Sequence, residues 1–313
     1  MSSPDSLIVG TRGSTLALWQ AERVQEHLEA DGHTVRLQQI TTRGDQERDV
    51  PISQIDAESV FTKEIDRAML RGEIDLAVHS LKDLPSQLPD GIMLAAVSER
   101  ASPFDAFVAH PSWEGSLDAL PPDATLATSS VRRHAQLKAW RPSLNIVPVR
   151  GNVDSRLDKL DASDWHGMVL AVAGLKRMGR AERIREAIDL QVMVPAVGQG
   201  ALGITCRAED EHLQAIARAA VHHRPAGLVA TAERSFMQTI DGGCQVPTGC
   251  WGRFNDAGEL VVDGCIAALD GTRLFRVRRT FPPEEAAQAG THVAEELLEQ
   301  GGDEVLQEMG FRA

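Results

Sequence analysis

Two α/β domains with doubly wound sheets, followed by a small α+β domain with a three-stranded antiparallel sheet, are the architecture that this sequence predicts. Three observations carry it. Short apolar strands alternate with amphipathic helices from Leu7 onward, the pattern of parallel sheets covered by helices. The same pattern restarts after a linker at Glu99-Arg100-Ala101-Ser102-Pro103. Beyond about His222 it gives way to three alternating strands joined by Asp256-Ala257-Gly258 and Asp270-Gly271 turns. A chain of 313 residues is also too long for one ordinary core.

Leu7-Ile8-Val9 reads as a buried strand, and Gly10-Thr11-Arg12-Gly13 as the turn after it. Ser14 then caps a helix with Ala17, Ala21, Val24 and Leu28 on one face. Val35–Gln38 alternates as a strand, and a polar loop runs from Thr41 to Asp56. A helix carrying Phe61, Ile65 and Met69 precedes the strand Ile74–Val78, and Ile92–Val97 is a further strand. In the second unit, Ala124–Ala127 leads into a helix over Val131–Trp140, and Ile146–Val149 into one ending near Leu160. Met168–Ala173 is an apolar strand. Leu202–Cys206 is too short to found a domain, so it is expected to cross back to the first unit. The expected domains are therefore 1–100 with 201–219, then 104–195, then 222–313. The last holds a helix through Ala230–Ile240, strands Cys250–Phe254, Leu260–Leu269 and Leu274–Phe281, and a closing helix over Glu284–Gln300.

The formal net charge of −13 argues against a nucleic-acid partner. Only five lysines stand among the 32 basic residues, so arginine supplies nearly all positive charge. Guanidinium groups grip carboxylates and phosphates bidentately where ammonium groups do not. No basic n-region or long apolar run suggests a secretory signal or a membrane span, and the expected compartment is the cytoplasm. Cys206, Cys244, Cys250 and Cys265 form no CxxC pair and no ligand spacing with the histidines, so neither a metal site nor a disulfide framework is expected.

One local design recurs: a strand end, a Ser or Asn cap, a helix N-terminus and nearby arginine. It occurs at Arg12-Gly13-Ser14, at Ser129-Ser130-Val131-Arg132-Arg133, and at Arg150-Gly151-Asn152 with Arg156 one turn on. Helix N-termini offer free N–H donors, and open α/β sheets bind ligands at strand C-terminal ends. Singly, each seat is an ordinary capped helix with a solvated arginine. Together they suit a ligand with many carboxylates, since neither a GxxxxGK[ST] loop nor a strand-borne GxGxxG is present for nucleotide phosphates.

Asp83 lies just past a strand end beside Lys82. It reads either as a solvated loop ion pair or as a carboxylate that stabilises a cationic intermediate and protonates a leaving group. His79 alone reads as a structural histidine. In Gly242-Gly243-Cys244-Gln245-Val246-Pro247 two glycines let the chain turn and present the thiol, and a thiol reacts only as an accessible thiolate. A small buried hydrophobe in a turn is the plainer reading.

These stretches together resemble the hydroxymethylbilane synthase (porphobilinogen deaminase) family. The match runs through Thr11–Gln20, His79–Pro85, Thr128–Arg133, Arg150–Val153, Leu170–Arg177, Pro195–Gly200 and Gly242–Pro247. The resemblance implies two domains like type II periplasmic binding proteins with the active cleft between them. It also implies a third domain whose loop cysteine, here Cys244, holds a dipyrromethane cofactor by thioether. Four porphobilinogens add head to tail with loss of ammonia, and water releases hydroxymethylbilane. Asp83 matches the catalytic aspartate. Lys82, Ser129, Arg132, Arg133, Arg150 and Arg156 match cofactor-binding positions, and Arg12, Ser14, Ser80, Thr128, Arg177 and Gln199 match substrate-binding ones. A monomer is the family expectation. One stretch departs: where the family commonly has a Gly- and Lys-rich run, this chain has Gln54-Ile55-Asp56-Ala57-Glu58-Ser59-Val60. A binding protein without turnover is the rival reading, but it leaves Cys244 without a task.

Overall fold

The computed structural model describes residues 6–42, 62–241 and 246–312. Cys244, Phe61 and the acidic stretch 54–60 lie outside the described residues. The chain divides into two compact units, Met1–Ala101 with Ala201–Gly227, and Ser102–Gly200 with Leu228–Ala313.

In chain order, the first segment contains β1 (Leu7–Thr11), α1 (Thr15–Ala30), β2 (Val35–Gln39), α2 (Lys63–Leu70), β3 (Leu76–Ser80) and β4 (Ile92–Val97). The second contains β5 (Asp105–Ala109), β6 (Thr125–Ala127), α3 (Val131–Trp140), β7 (Asn145–Val147), α4 (Val153–Asp161), β8 (Gly167–Ala171), α5 (Val172–Arg177) and β9 (Glu186–Ala187). After them come β10 (Leu202–Arg207), α6 (Glu211–Val221) and α7 (Arg224–Ile240). The chain closes with β11 (Thr248–Phe254), β12 (Leu260–Ala267), β13 (Leu274–Phe281), α8 (Ala286–Leu297) and α9 (Asp303–Glu308).

The first unit is built on a sheet of order β2-β1-β3-β10-β4. Strands β1, β2 and β3 run parallel, and β10 pairs antiparallel to both β3 and β4. Helix α1 lies on this sheet because Ala17, Ala21, Val24 and Leu28 recur at helical spacing and are all buried. Its first turn is set by the Ser14 hydroxyl, which accepts from the Ala17 amide at 3.3 Å. Cutting the fully buried Leu28 to Ala would cost about 2–5 kcal/mol.

The second unit repeats the pattern with a sheet of order β7-β6-β8-β5-β9. Here β6, β7 and β8 are parallel, and β5 is antiparallel to β8. Each sheet thus contains one reversed strand where all-parallel sheets were expected. In both cases it is the strand delivered when the chain passes from one unit to the other. β5 was not expected as a strand at all: its five residues, Asp-Ala-Phe-Val-Ala, are all buried and show no alternation. The apolar run at Met168–Ala173 also divides differently, because helix α5 begins at Val172.

The C-terminal sheet, order β11-β12-β13, is antiparallel throughout. Helices α7 and α8 cover it, with Phe236, Val293 and Leu297 in the core. The helices approach closely at Gly290, where an added Cβ would lie 1.8 Å from the Ala232 carbonyl oxygen. A buried carboxylate joins this layer to the preceding segment: Glu233 accepts from the Gly198 amide at 2.6 Å and the Gly252 amide at 2.8 Å. The Arg276 guanidinium donates to the carbonyls of Leu190, Gln191 and Val192.

Candidate active site

In the first unit, strand β3 ends at Ser80 and runs into a short 3-10 turn, Leu81–Asp83. Leu81 and Leu84 are both buried, and they pack where an added Cβ on Gly203 of β10 would meet them at 3.0–3.1 Å. The Leu81 amide donates to the Ala201 carbonyl at 3.0 Å. Buried leucines and a paired backbone therefore seat the turn, and the half-buried Lys82 and Asp83 between them are held at its edge.

Asp83 lines an open cavity of about 60 Å³ with Arg12, Ser14 and Ser80. Four of the expected site residues thus meet in one place. Three polar residues that were not expected join them: Gln20, Thr62 and His79. Gln20 donates through Nε2 to the Ser80 hydroxyl at 2.9 Å. A signal for it exists, because Gln20 is a polar residue on the otherwise apolar buried stripe of α1. His79 is buried, and its Nε2 lies 3.3 Å from the Thr205 hydroxyl. Burial, with the Arg12 charge beside it, pushes His79 down to about 4, so the imidazole is neutral at physiological pH.

In the second unit the stretches expected to seat anions are capped helix N-termini. Ser130 caps α3 by accepting from the Arg133 amide, and Asn152 caps α4 by accepting from the Ser155 amide at 2.9 Å. Thr128 is buried, and the Ser129 hydroxyl both donates to the Val149 carbonyl and accepts from its amide. Arg150 follows at the strand end, and its Nη2 atom is buried with no hydrogen-bond partner among the described residues. Arg156 donates through Nε to the Gly151 carbonyl at 2.8 Å. Gly151 has φ +120, and a Cβ there would meet the Ser155 hydroxyl at 2.1 Å, so glycine is required. Burial pulls the Arg177 guanidinium below its ordinary value while its Nη2 donates to the Gly200 carbonyl at 2.6 Å.

Arg132 and Arg133 are both buried, and both are engaged with Asp105 of β5. Gln199 donates through Nε2 to the same carboxylate at 3.1 Å and to the Pro103 carbonyl at 2.7 Å. Asp105 was missed by sequence reasoning. Its signal was an acid opening a strand that is otherwise apolar.

The expected loop cysteine can be approached only from its neighbours. Helix α7 ends at Ile240, and Asp241 takes a left-handed φ of 54 that turns the chain off the helix. On the far side, Val246 is buried and the Ala267 amide of β12 donates to the Pro247 carbonyl. Both flanks of residues 242–245 are therefore anchored. Cys206, Cys250 and Cys265 are buried thiols, and burial pushes the Cys265 thiol up to about 11. Among the described residues no helix is long and apolar enough to cross a membrane.

Known proteins match the chain along most of its length. Residues 7–215 match the family model described as porphobilinogen deaminase, dipyrromethane cofactor binding domain, and residues 228–299 match the porphobilinogen deaminase C-terminal domain. The porphobilinogen deaminase of Desulforudis audaxviator is 46% identical over 302 residues, covering 96% of each chain. That of Syntrophomonas wolfei is 44% identical over 304 residues, covering 96% of this chain and 98% of the relative. Among solved structures, the methionine-binding protein MetQ is 16% identical at a TM-score of 0.44, over 69% of this chain and 90% of that one, which is too loose a likeness to argue from. The relatives span nearly the whole chain, and both family models match in order: the chain belongs to the porphobilinogen deaminase family.

Proposed function

We propose that Asp83 performs the chemistry of this chain's reaction, that the arginines of the second unit hold its anionic reactants, and that Cys244 anchors the cofactor. The reaction is that of the family: deaminating condensation of porphobilinogen to hydroxymethylbilane, a transferase step of tetrapyrrole biosynthesis that uses a dipyrromethane cofactor. The observation that carries the reading is the meeting of Asp83, Arg12, Ser14 and Ser80 around one cavity.

The described residues fit the cofactor's chemistry. A dipyrrole bearing acetate and propionate groups is a polyanion, and Arg150 offers a buried guanidinium nitrogen with no partner among the described residues. Arg132 and Arg133 carry two charges against the single carboxylate of Asp105. Charge-assisted hydrogen bonds of about 1.5–3 kcal/mol each hold such groups firmly. When bound, the cofactor supplies the free pyrrole α-carbon on which the chain is built.

Asp83 has three tasks. Its carboxyl group hydrogen-bonds the aminomethyl nitrogen of porphobilinogen and keeps it protonated as the C–N bond breaks and ammonia leaves. Its negative charge stabilises the azafulvene cation that remains. Where a pyrrole α-carbon would have to give up a proton, the Asp83 carboxylate would be the acceptor at hand. Arg12 pairs with a ring carboxylate, and the neutral His79 adds no positive charge to a cavity where a cation develops. Ser14 and Ser80 supply hydroxyl groups. We read residues 222–313 as the domain that bears the cofactor loop, and the protein as a cytoplasmic monomer.

Porphobilinogen consumption, ammonia release and the intact mass of the purified protein test this together. Bilane should form, and the protein should carry the mass of a dipyrrole that is absent from Cys244→Ser. A dipyrrole still attached in Cys244→Ser would overturn the assignment of the anchor.

A further inference from the structure

One carboxylate organises the arginine cluster of the second unit. Asp105 is 1% exposed. Its Oδ2 accepts from Arg132 Nη1 at 2.8 Å. Its Oδ1 accepts from Arg132 Nη2 at 3.1 Å, from Arg133 Nε at 2.9 Å and from Gln199 Nε2 at 3.1 Å, and it lies 2.8 Å from Arg133 Nη2. Arg132 Nη1 also donates to the Val194 carbonyl and Arg133 Nη1 to the Val169 carbonyl, each at 2.8 Å. Three of the five N–H donors of each guanidinium are committed in this way, which leaves two on each. Three residues that match the family's ligand-holding positions, Arg132, Arg133 and Gln199, therefore share one buried acceptor.

We propose that Asp105 is the positioning residue of the carboxylate-holding site. It clamps one edge of each guanidinium, so that the remaining donors present a fixed fork to the ligand. It also neutralises only one of the two charges, so the pair keeps one positive charge in excess for a ligand carboxylate to meet. The inference rests on the reading of Arg132 and Arg133 as ligand-holding residues.

Several observations favour this over a simple strut between β5 and α3. A strut needs one arginine, and a second buried guanidinium with no second carboxylate against it among the described residues is costly unless a ligand answers it. Gln199 adds a neutral donor to the already crowded Oδ1, which fixes the carboxylate's rotation rather than balancing charge. Burial would raise the Asp105 carboxyl, but Arg132 and Arg133 outweigh it and hold it well below the usual carboxylate range, so the clamp stays ionised at any working pH. The same burial lowers the Arg133 guanidinium, against the opposing pull of Asp105.

The test follows cofactor loading, not turnover. Full-length apo-protein, expressed without a supply of porphobilinogen, is mixed with porphobilinogen, and the covalent mass gain is recorded against time, substrate concentration and temperature. Asp105→Asn preserves the shape and removes the charge, which leaves the pair with two positive charges in excess. At temperatures well below its unfolding midpoint it should load at least about tenfold more slowly, with an apparent KM equal to or below that of the wild type. Loss of a mere strut lowers the unfolding midpoint and leaves the loading rate of the folded protein unchanged. Loading within about twofold of wild type would therefore overturn the proposal. If Asp105→Asn does not fold, Asp105→Glu decides, because it keeps the charge but shifts it by one methylene. Slowing of about threefold or more supports the clamp, and a wild-type rate overturns it. Arg132→Gln and Arg133→Gln separate the two readings. If both load normally, the ligand-holding role of the arginines falls and the proposal with it. If they fail and Asp105→Asn does not, only the positioning role of Asp105 falls.

Discussion

The cavity of the first unit and the arginine cluster of the second use charge in opposite ways. Around Asp83 one guanidinium, that of Arg12, shares the cavity with neutral pairs, Gln20 with Ser80 and His79 with Thr205, and the acid itself is half-buried at the edge of a turn. Around Asp105 the guanidiniums are buried, and each is fixed by the same carboxylate and by a backbone carbonyl. A group that must gain and lose a proton needs contact with solvent. A group that must only hold a carboxylate is best if it never titrates and cannot swing, and a clamped arginine meets both demands. With the roles proposed above, the contrast means that the two units divide reacting from holding.

The largest effect that would break this division is expected at neither cluster but at the anchor. Cys244→Ala should abolish covalent loading, so that the intact mass stays at that of the bare chain and bilane formation falls to background. Normal loading in this variant would show that the anchor lies elsewhere. Next in size is Arg150→Gln, which removes the guanidinium with a buried unpartnered nitrogen. A lost charge-assisted hydrogen bond of about 1.5–3 kcal/mol corresponds to roughly a ten- to hundredfold loss. Mass spectra after brief exposure to porphobilinogen should show one bound chain length accumulating. An even slowing of every addition would blur the line between holding and reacting.

How much of this was legible in the sequence depends on whether a feature is local. The α3 helix was readable to the residue, because Ser130, the arginines and the following loop specify it without help from elsewhere. The strands of the C-terminal sheet were readable because alternation and turn residues mark them. The reversed strands β5 and β10 were not read as reversed, since strand direction is set by distant partners and an apolar run has no direction in it. The site divides in the same way. Arg12, Ser14, Ser80 and Asp83 sit beside recognisable strand ends and meet as expected. Gln20 and Asp105 carried only the faint signal of a polar residue in an apolar stripe, and their roles depend on partners 60 and 27 residues away.

A moderate effect is expected in stability against pH. The unfolded chain protonates His79 near 6.5, whereas the folded chain resists until about 4, so stability falls as pH drops through that window. Asp66 of α2 has the opposite sign. Burial, opposed by the Thr62 hydroxyl and aided by Glu64, raises its carboxyl from 3.8 to about 6, so its contribution is present below 3.8 and lost as pH rises through 6. Each is worth on the order of 1–3 kcal/mol, and between pH 4 and 6 they offset one another. Urea unfolding should therefore show a steep acid loss in Asp66→Asn and a gain on acidification in His79→Gln. Wild-type profiles in both variants would show that neither group is perturbed. The smallest effect is expected for Cys206→Ala and Cys265→Ala, whose buried thiols should cost about 1 kcal/mol of stability and leave cofactor loading unchanged.

The division between reacting and holding is tested most directly by rapid-mixing mass spectrometry of Asp83→Asn loaded with cofactor. Asparagine keeps the shape of the side chain and removes its charge and its proton. Porphobilinogen should bind with an affinity within about threefold of wild type, while the first addition slows by at least about a hundredfold. If affinity collapses instead and the bound substrate reacts at the wild-type rate, Asp83 is a holding residue and the acid lies elsewhere.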